Sequence, residues 1–229
     1  MLLRALLILL LGCFLSACTY QNKLPRGIYT AENKPHKVQA RVLVASDQVA
    51  QKQFIFKDYH NKNSVHSYKI NLTDGALVAA ADALGTVFTD VEVNPPRLAN
   101  KYDFVVQLTY TVSDGKNDSG ESVQWLNYAQ IPDLETRVQL LFMTPEGEEI
   151  YAGYATRRNR VELNNETAVT QRVENTGTLI LLPLTAPVYT QQMGESLLYT
   201  LSRDLRECLE EIIADIPLND FQVTQNNVK

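Results

Sequence analysis

The sequence predicts an α+β fold: a mixed or mostly antiparallel sheet with amphipathic helices packed on one face. Three observations carry this expectation. Residues 104–112 alternate, with Phe104, Val106, Leu108, Tyr110 and Val112 on one side and Val105, Gln107, Thr109 and Thr111 on the other, and a period of two marks a strand. Residues 137–143 and 149–157 are two β-prone runs joined by Thr144-Pro145-Glu146-Gly147, a short Gly/Pro connection of the hairpin kind. Met193, Leu197, Leu201, Leu205, Cys208, Leu209, Ile212 and Ile216 recur at helical spacing up to Pro217, which has no N–H to continue the helix.

The elements follow in order. Residues 19–36 carry Asn22, Lys23, Pro25, Gly27, Asn33, Lys34 and Pro35 with no helical or strand period, so they read as a flexible tether. Val38, Ala40, Val42 and Val44 make a first strand, and Leu43 suggests burial on both faces. Residues 53–59 give a second strand, with Phe54 and Phe56 opposite Ile55. Residues 65–72 give a third, with Tyr68, Ile70 and Leu72 in phase, and His60-Asn61-Lys62-Asn63 turns one into the other. A helix is expected next, capped by Thr73 or Asp74. Its stripe is Leu77, Ala80, Ala81, Leu84, Val87, Phe88 and Val91, and Asn94-Pro95-Pro96 marks its exit. Residues 114–120 form a polar loop before the hairpin. The last helix is expected to begin near Gln191 or Gly194, with Arg203, Asp204, Arg206, Glu207, Glu210 and Glu211 mostly on its wet face.

The start of the chain has its own pattern. Arg4 is followed by an almost unbroken apolar run and then by Leu15, Ser16, Ala17 and Cys18. A positive n-region, an apolar h-region and small residues before a cut describe a signal peptide. This segment resembles a bacterial lipoprotein signal. The resemblance implies cleavage after residue 17 and a covalent N-terminal lipid, palmitate included, on Cys18. It also implies a membrane as partner through that anchor. Thr19 in place of Asp favours the outer membrane over inner-membrane retention, with the body facing the periplasm. The domains then read as signal peptide 1–17, lipidated anchor and tether 18–36, a single α+β domain 37–221, and a polar tail 222–229.

Composition narrows the class. The chain has 229 residues and a formal charge of −5, which gives no basic footprint for nucleic acid. With Cys13 in the leader and Cys18 acylated through its sulfur, Cys208 has no intramolecular partner for a disulfide. On the apolar stripe of a helix, Cys208 reads as a packed thiol rather than a nucleophile.

The familiar chemistries find little support. The three histidines, His36, His60 and His66, match no zinc spacing, and His60 and His66 read as surface residues beside a turn. Asp47, Asp58, Asp90 and Asp103 are scattered, whereas a glycosidase needs two carboxyls at a set separation. Glu146, Glu148 and Glu149 surround a turn and read as solvated. No nucleophile elbow or phosphate-binding Gly-rich loop occurs. Asp114, Asn117, Asp118 and Glu121 offer hard oxygens without the twelve-position calcium pattern. No metal and no cofactor beyond the Cys18 lipid is expected, and no enzyme.

Two features suggest contact surfaces. Arg157, Arg158 and Arg160 form a compact basic cluster. Residues 178–189 carry no charge and two prolines. They read either as a buried strand over 179–182 with a crossover, or as an exposed apolar loop that docks on a membrane or another subunit. Candidate partner-binding residues are therefore Leu181, Leu182, Leu184 and Val188, with Arg157, Arg158 and Arg160 as a second patch.

The signal, the central body and the late helix around Ser202-Arg203-Asp204-Leu205 resemble small Gram-negative envelope lipoproteins, including the YajG-like group and auxiliary lipoproteins of envelope transport. The resemblance implies a noncatalytic assembly, structural or accessory role in an envelope complex, as a homo-oligomer or with other envelope proteins. The alternative is a periplasm-facing lipid- or glycan-binding module with a concave site lined by Phe104, Tyr110, Trp125 or Tyr128.

Overall fold

The computed structural model describes residues 19–29, 37–45, 51–60, 64–94, 101–114, 133–162, 182–219 and 221, with the backbone alone at 57–60, 64–65, 94 and 182–187. In order, the elements are β1 (Thr19–Lys23), β2 (Val38–Ala45), β3 (Gln53–His60), β4 (Ser64–Asn71), α1 (Thr73–Leu84), β5 (Phe88–Asn94), β6 (Phe104–Asp114), β7 (Asp133–Met143), β8 (Glu149–Arg160) and α2 (Leu182–Asp215). The fold is α+β with mixed sheets, as the alternations and the helical stripe require.

The strands divide between two sheets rather than one. A five-stranded sheet has the order β5-β2-β6-β7-β8, parallel across β5, β2 and β6 and antiparallel from β6 to β8. A three-stranded sheet has the order β1-β4-β3, with β1 parallel and β3 antiparallel to β4. Both expected hairpins form. The turn at 144–147 closes through Gly147 N–H donating to Thr144 O at 2.9 Å, and Gly147 takes a φ of +92° that suits glycine.

The inward residues of β6 (Phe104, Val106, Leu108, Tyr110) and β7 (Leu134, Thr136, Val138, Leu140, Phe142) are buried against the helices. Alanines 76, 79, 80 and 83 let α1 approach its sheet closely. Phe221 seals the far end, edge-on to Phe88, Phe104 and Phe142 with ring centroids 5.6, 5.1 and 5.2 Å away. Helix α2 packs on β7 and β8 with its later turns and on β1 and β4 with its earlier ones, so one helix spans both sheets.

Four expectations change. The helix after β4 stops at Leu84, where Gly85 N–H bonds back to Ala81 O, and residues 88–94 are strand β5, not helix. Leu84, Phe88 and Val91 satisfy a helical stripe, but β2 offers 88–94 a parallel partner and takes it. The α1 N-terminus is served neither by Thr73 nor by Asp74: Thr73 N–H donates to Asn71 Oδ1 at 3.0 Å. Residues 19–23 are no free tether, because β1 pairs with β4, and Leu24 follows it into the core with its N–H on Asn71 O. Finally, α2 begins at Leu182, nine residues before Gln191. Neither a strand with crossover nor a loop describes 182–189. Pro183 falls in the first turn, where N–H groups have no helical acceptor anyway, and Pro187 forfeits a bond to the Pro183 carbonyl. Residues 178–181 lie outside the described residues.

Candidate functional site

The described concavity of note lies beside β1. Thr19, Tyr20, Gln21, Asn22 and Pro25 line one wall, and Thr190, Gln191, Glu195, Leu198, Tyr199 and Ser202 the other, around about 800 Å³. Four consecutive strand residues line it, so the groove runs along the strand's edge rather than over one face. Among the described residues β1 is an edge strand paired with β4 alone, and such an edge presents backbone N–H and C=O groups on its other side.

The walls are held by specific contacts. Tyr20, Tyr68 and Phe56 stand opposite one another on β1, β4 and β3, and their rings form a ladder at 6.4 and 5.8 Å. The Tyr20 ring lies flat on Gly194, where any Cβ would overlap it. Glycine inside a helix costs about 1 kcal/mol against alanine, and here it lets β1 and α2 touch. One turn earlier, a 2.7 Å hydrogen bond joins His66 Nδ1 and Thr190 Oγ1, and the Tyr189 ring meets the His66 ring edge-on at 5.5 Å. His66 is thus a buried clamp between β4 and α2, not a surface residue. On β4 it occupies the same inward phase as Tyr68 and Ile70.

The other candidate residues are dispersed. Cys18, Leu181, Trp125, Tyr128, His36 and Asp47 lie outside the described residues, as do Asn117, Asp118 and Glu121. Leu182 and Leu184 fall in the first turns of α2, and Val188 is 48% exposed on the same helix. The arginine cluster does not form one patch. Strand alternation turns Arg157 to the α2 side of the sheet, where it pairs with Glu211 at 2.6 Å and Glu207 at 3.5 Å, while Arg158 and Arg160 are exposed on the other side. Phe104 and Tyr110 are core residues, 1% and 0% exposed, so they line no concave site.

Buried polar chemistry gathers under α2. Asp204, expected on the wet face, has no exposure, because it falls between Leu201 and Cys208 on the buried stripe. Asn159 Nδ2 donates to its Oδ1 at 2.7 Å. Burial raises the Asp204 carboxyl pKa, against the Asn159 bond and the Arg203 charge. Burial also raises the Tyr110 hydroxyl, helped by Asp204 and Cys208, and pushes the Cys208 thiol up to about 12. A thiol in that state is packing, as its place on the stripe implied. Among the described residues no group of three or more His, Cys, Asp or Glu side chains could hold a metal ion. No described helix is long and apolar enough to cross a membrane.

The fold and site define a mixed α+β body with an open groove at a sheet edge. No family model matches the chain, and no curated protein does. Among solved structures it is similar to the PelC dodecamer from Paraburkholderia phytofirmans. One crystal form aligns at 14% identity over 72% of this chain and 93% of that one, with a TM-score of 0.32. Another aligns at 12% identity over 73% and 91%, also at 0.32. A neuraminyllactose-binding hemagglutinin homolog from Helicobacter pylori aligns at 12% identity over 83% and 99%, with a TM-score of 0.33. Likeness at this level carries no argument about function.

Proposed function

We propose that this chain is a noncatalytic lipoprotein of the outer membrane, anchored by a lipid on Cys18 and facing the periplasm, that serves as an accessory component of an envelope complex. The observation that supports this reading is the place of the groove. It opens on Thr19, the residue after the lipidation position, and it sets an edge strand beside a helix. An edge strand flanked by a helix accepts an extended segment of a partner: main-chain bonds to β1 supply affinity, and Tyr20, Leu198 and Tyr199 supply side-chain contacts. Polar side chains between β8 and α2 are engaged with one another, as with Arg157 on Glu211 and Asp204 on Asn159.

The test is affinity purification of the mature protein from native membranes in mild detergent, followed by mass spectrometry. A stoichiometric envelope partner, or a stable homo-oligomer, that is lost in a folded Leu198→Asp/Tyr199→Asp variant is the expected result. A solitary protein carrying lipid or glycan overturns it in favour of a binding module, although Phe104 and Tyr110 would not line that module's site.

A further inference from the structure

We propose that the extended segment seated on β1 is a basic one: it sets a lysine or arginine against Glu195 and, two residues away, an apolar side chain against Leu198 and Tyr199. The inference rests on the reading of the groove as a strand-accepting edge and names the chemistry of the strand it accepts.

The backbone of β1 fixes where such a segment pairs. Leu24 N–H donates to Asn71 O, and the parallel register sets Lys23 opposite Asn71. Alternation then turns the N–H and C=O groups of Tyr20 and Asn22 towards β4, and those of Thr19, Gln21 and Lys23 towards the open side. The Lys23 N–H is already taken by Asn22 Oδ1 at 2.8 Å. A ladder with an incoming strand therefore runs over Thr19 and Gln21 and ends at Lys23. The side chains of Tyr20 and Asn22 share the other phase, joined by Asn22 Nδ2 donating to Tyr20 Oη at 2.8 Å. The Tyr20 ring on Gly194 shows that this phase faces α2. Residues of the incoming strand in register with Tyr20 and Asn22 face α2 as well.

Helix α2 offers those two residues different surfaces. Glu195 follows Gly194, on which Tyr20 rests, and it is the one formally charged residue among the described residues that line the groove. Its described hydrogen bond comes from a neutral group, Gln191 Nε2 at 3.0 Å, and no described cation pairs with it. A cation on the incoming strand in register with Tyr20 meets that charge. Two strand residues advance about 6.6 Å and one helical turn about 5.4 Å, so the residue in register with Asn22 arrives one turn on, at Leu198 and Tyr199. Leu198 is half-buried against the core and Tyr199 is exposed. Arg203 already stands 6.0 Å from the Tyr199 ring, which disfavours a second cation there and favours an apolar side chain. The accepted order is a basic residue, one residue facing away from α2, and an apolar residue.

The test selects random dodecapeptides displayed on phage against the immobilised full mature protein in mild detergent. The Leu198→Asp/Tyr199→Asp variant, shown to be folded by circular dichroism, is the control for the groove. The expected result is a set of peptides that need Leu198 and Tyr199 and share a lysine or arginine two places from an apolar residue. Glu195→Gln then weakens them severalfold, as a partly exposed ion pair does, and selection on Glu195→Lys turns the basic position acidic. Peptides that need Leu198 and Tyr199 but bind Glu195→Lys unchanged overturn the basic chemistry and leave the strand-accepting edge standing. A selection that yields no peptide dependent on Leu198 and Tyr199 overturns both.

Discussion

Replacing Asp204 by Asn is expected to stabilise the protein at neutral and alkaline pH but not in acid. The carboxyl is fully buried. Its Oδ1 accepts from Asn159, and its Oδ2 meets no donor among the described residues. Arg203 Nε lies 3.6 Å from Oδ1. At an effective dielectric of about 20 that attraction is roughly 4–5 kcal/mol gross, against several kcal/mol for taking a carboxylate out of water. Burial wins at Asp204 and raises its pKa. The two partners differ here. Burial opposes the Arg203 charge too, but Glu162 at 3.2 Å leads the acids that outweigh it. A carboxyl with a raised pKa holds its proton longer in the folded than in the unfolded chain. The stability it contributes is full below the unfolded value of 3.8 and falls as pH rises through the folded value. The amide introduced by Asp204→Asn still accepts the Asn159 bond and never ionises, so that fall disappears. The expected gain above the folded pKa is about 1 kcal/mol, or about 2–4 °C in Tm for a domain of this size. The assay is thermal unfolding by circular dichroism from pH 4 to pH 8 for both proteins. An equal loss at both ends refutes the reasoning by removing the charge dependence. A larger loss at pH 8 refutes it by making the carboxylate a net stabiliser.

Other expectations follow from single contacts. Phe221→Ala should cost about 3–5 kcal/mol in urea unfolding, since it empties a fully buried site among three rings, and Phe221→Leu should cost clearly less. Thr190→Val keeps the shape but removes the bond to His66. It should cost about 1 kcal/mol and speed amide exchange in β4 more than in β7. The Arg157–Glu211 pair is partly exposed, so a double-mutant cycle with both residues changed to Ala should return a coupling under about 1 kcal/mol. Cys208, with its thiol raised to about 12, should resist a thiolate-selective reagent at pH 8 in the folded protein and react fully in denaturant.

Local residue patterns were enough to locate the strands at Val38–Ala45, Gln53–His60, Ser64–Asn71 and Phe104–Asp114, both hairpins, and the apolar face of α2. In each case the signal is local: a period of two or 3.6, with turn residues at the ends. The tertiary structure decided the rest, because those choices depend on partners far away in the chain. Phe88 and Val91, three residues apart, fit the helical period and fall on opposite faces of a strand, yet pairing with β2 made their segment a strand. Thr19–Lys23 holds one apolar side chain, Tyr20, too few to show alternation, yet β4 offered it a ladder and Gly194 a surface for its ring. His66 and Asp204 occupy inward phases that their polarity disguised, and Thr190 and Asn159 supply the bonds that make their burial tolerable. The groove followed from the same cause. It exists where a strand that local sequence could not announce runs beside a helix that begins earlier than its prolines suggested, and an edge of that kind is a property of pairing, not of composition.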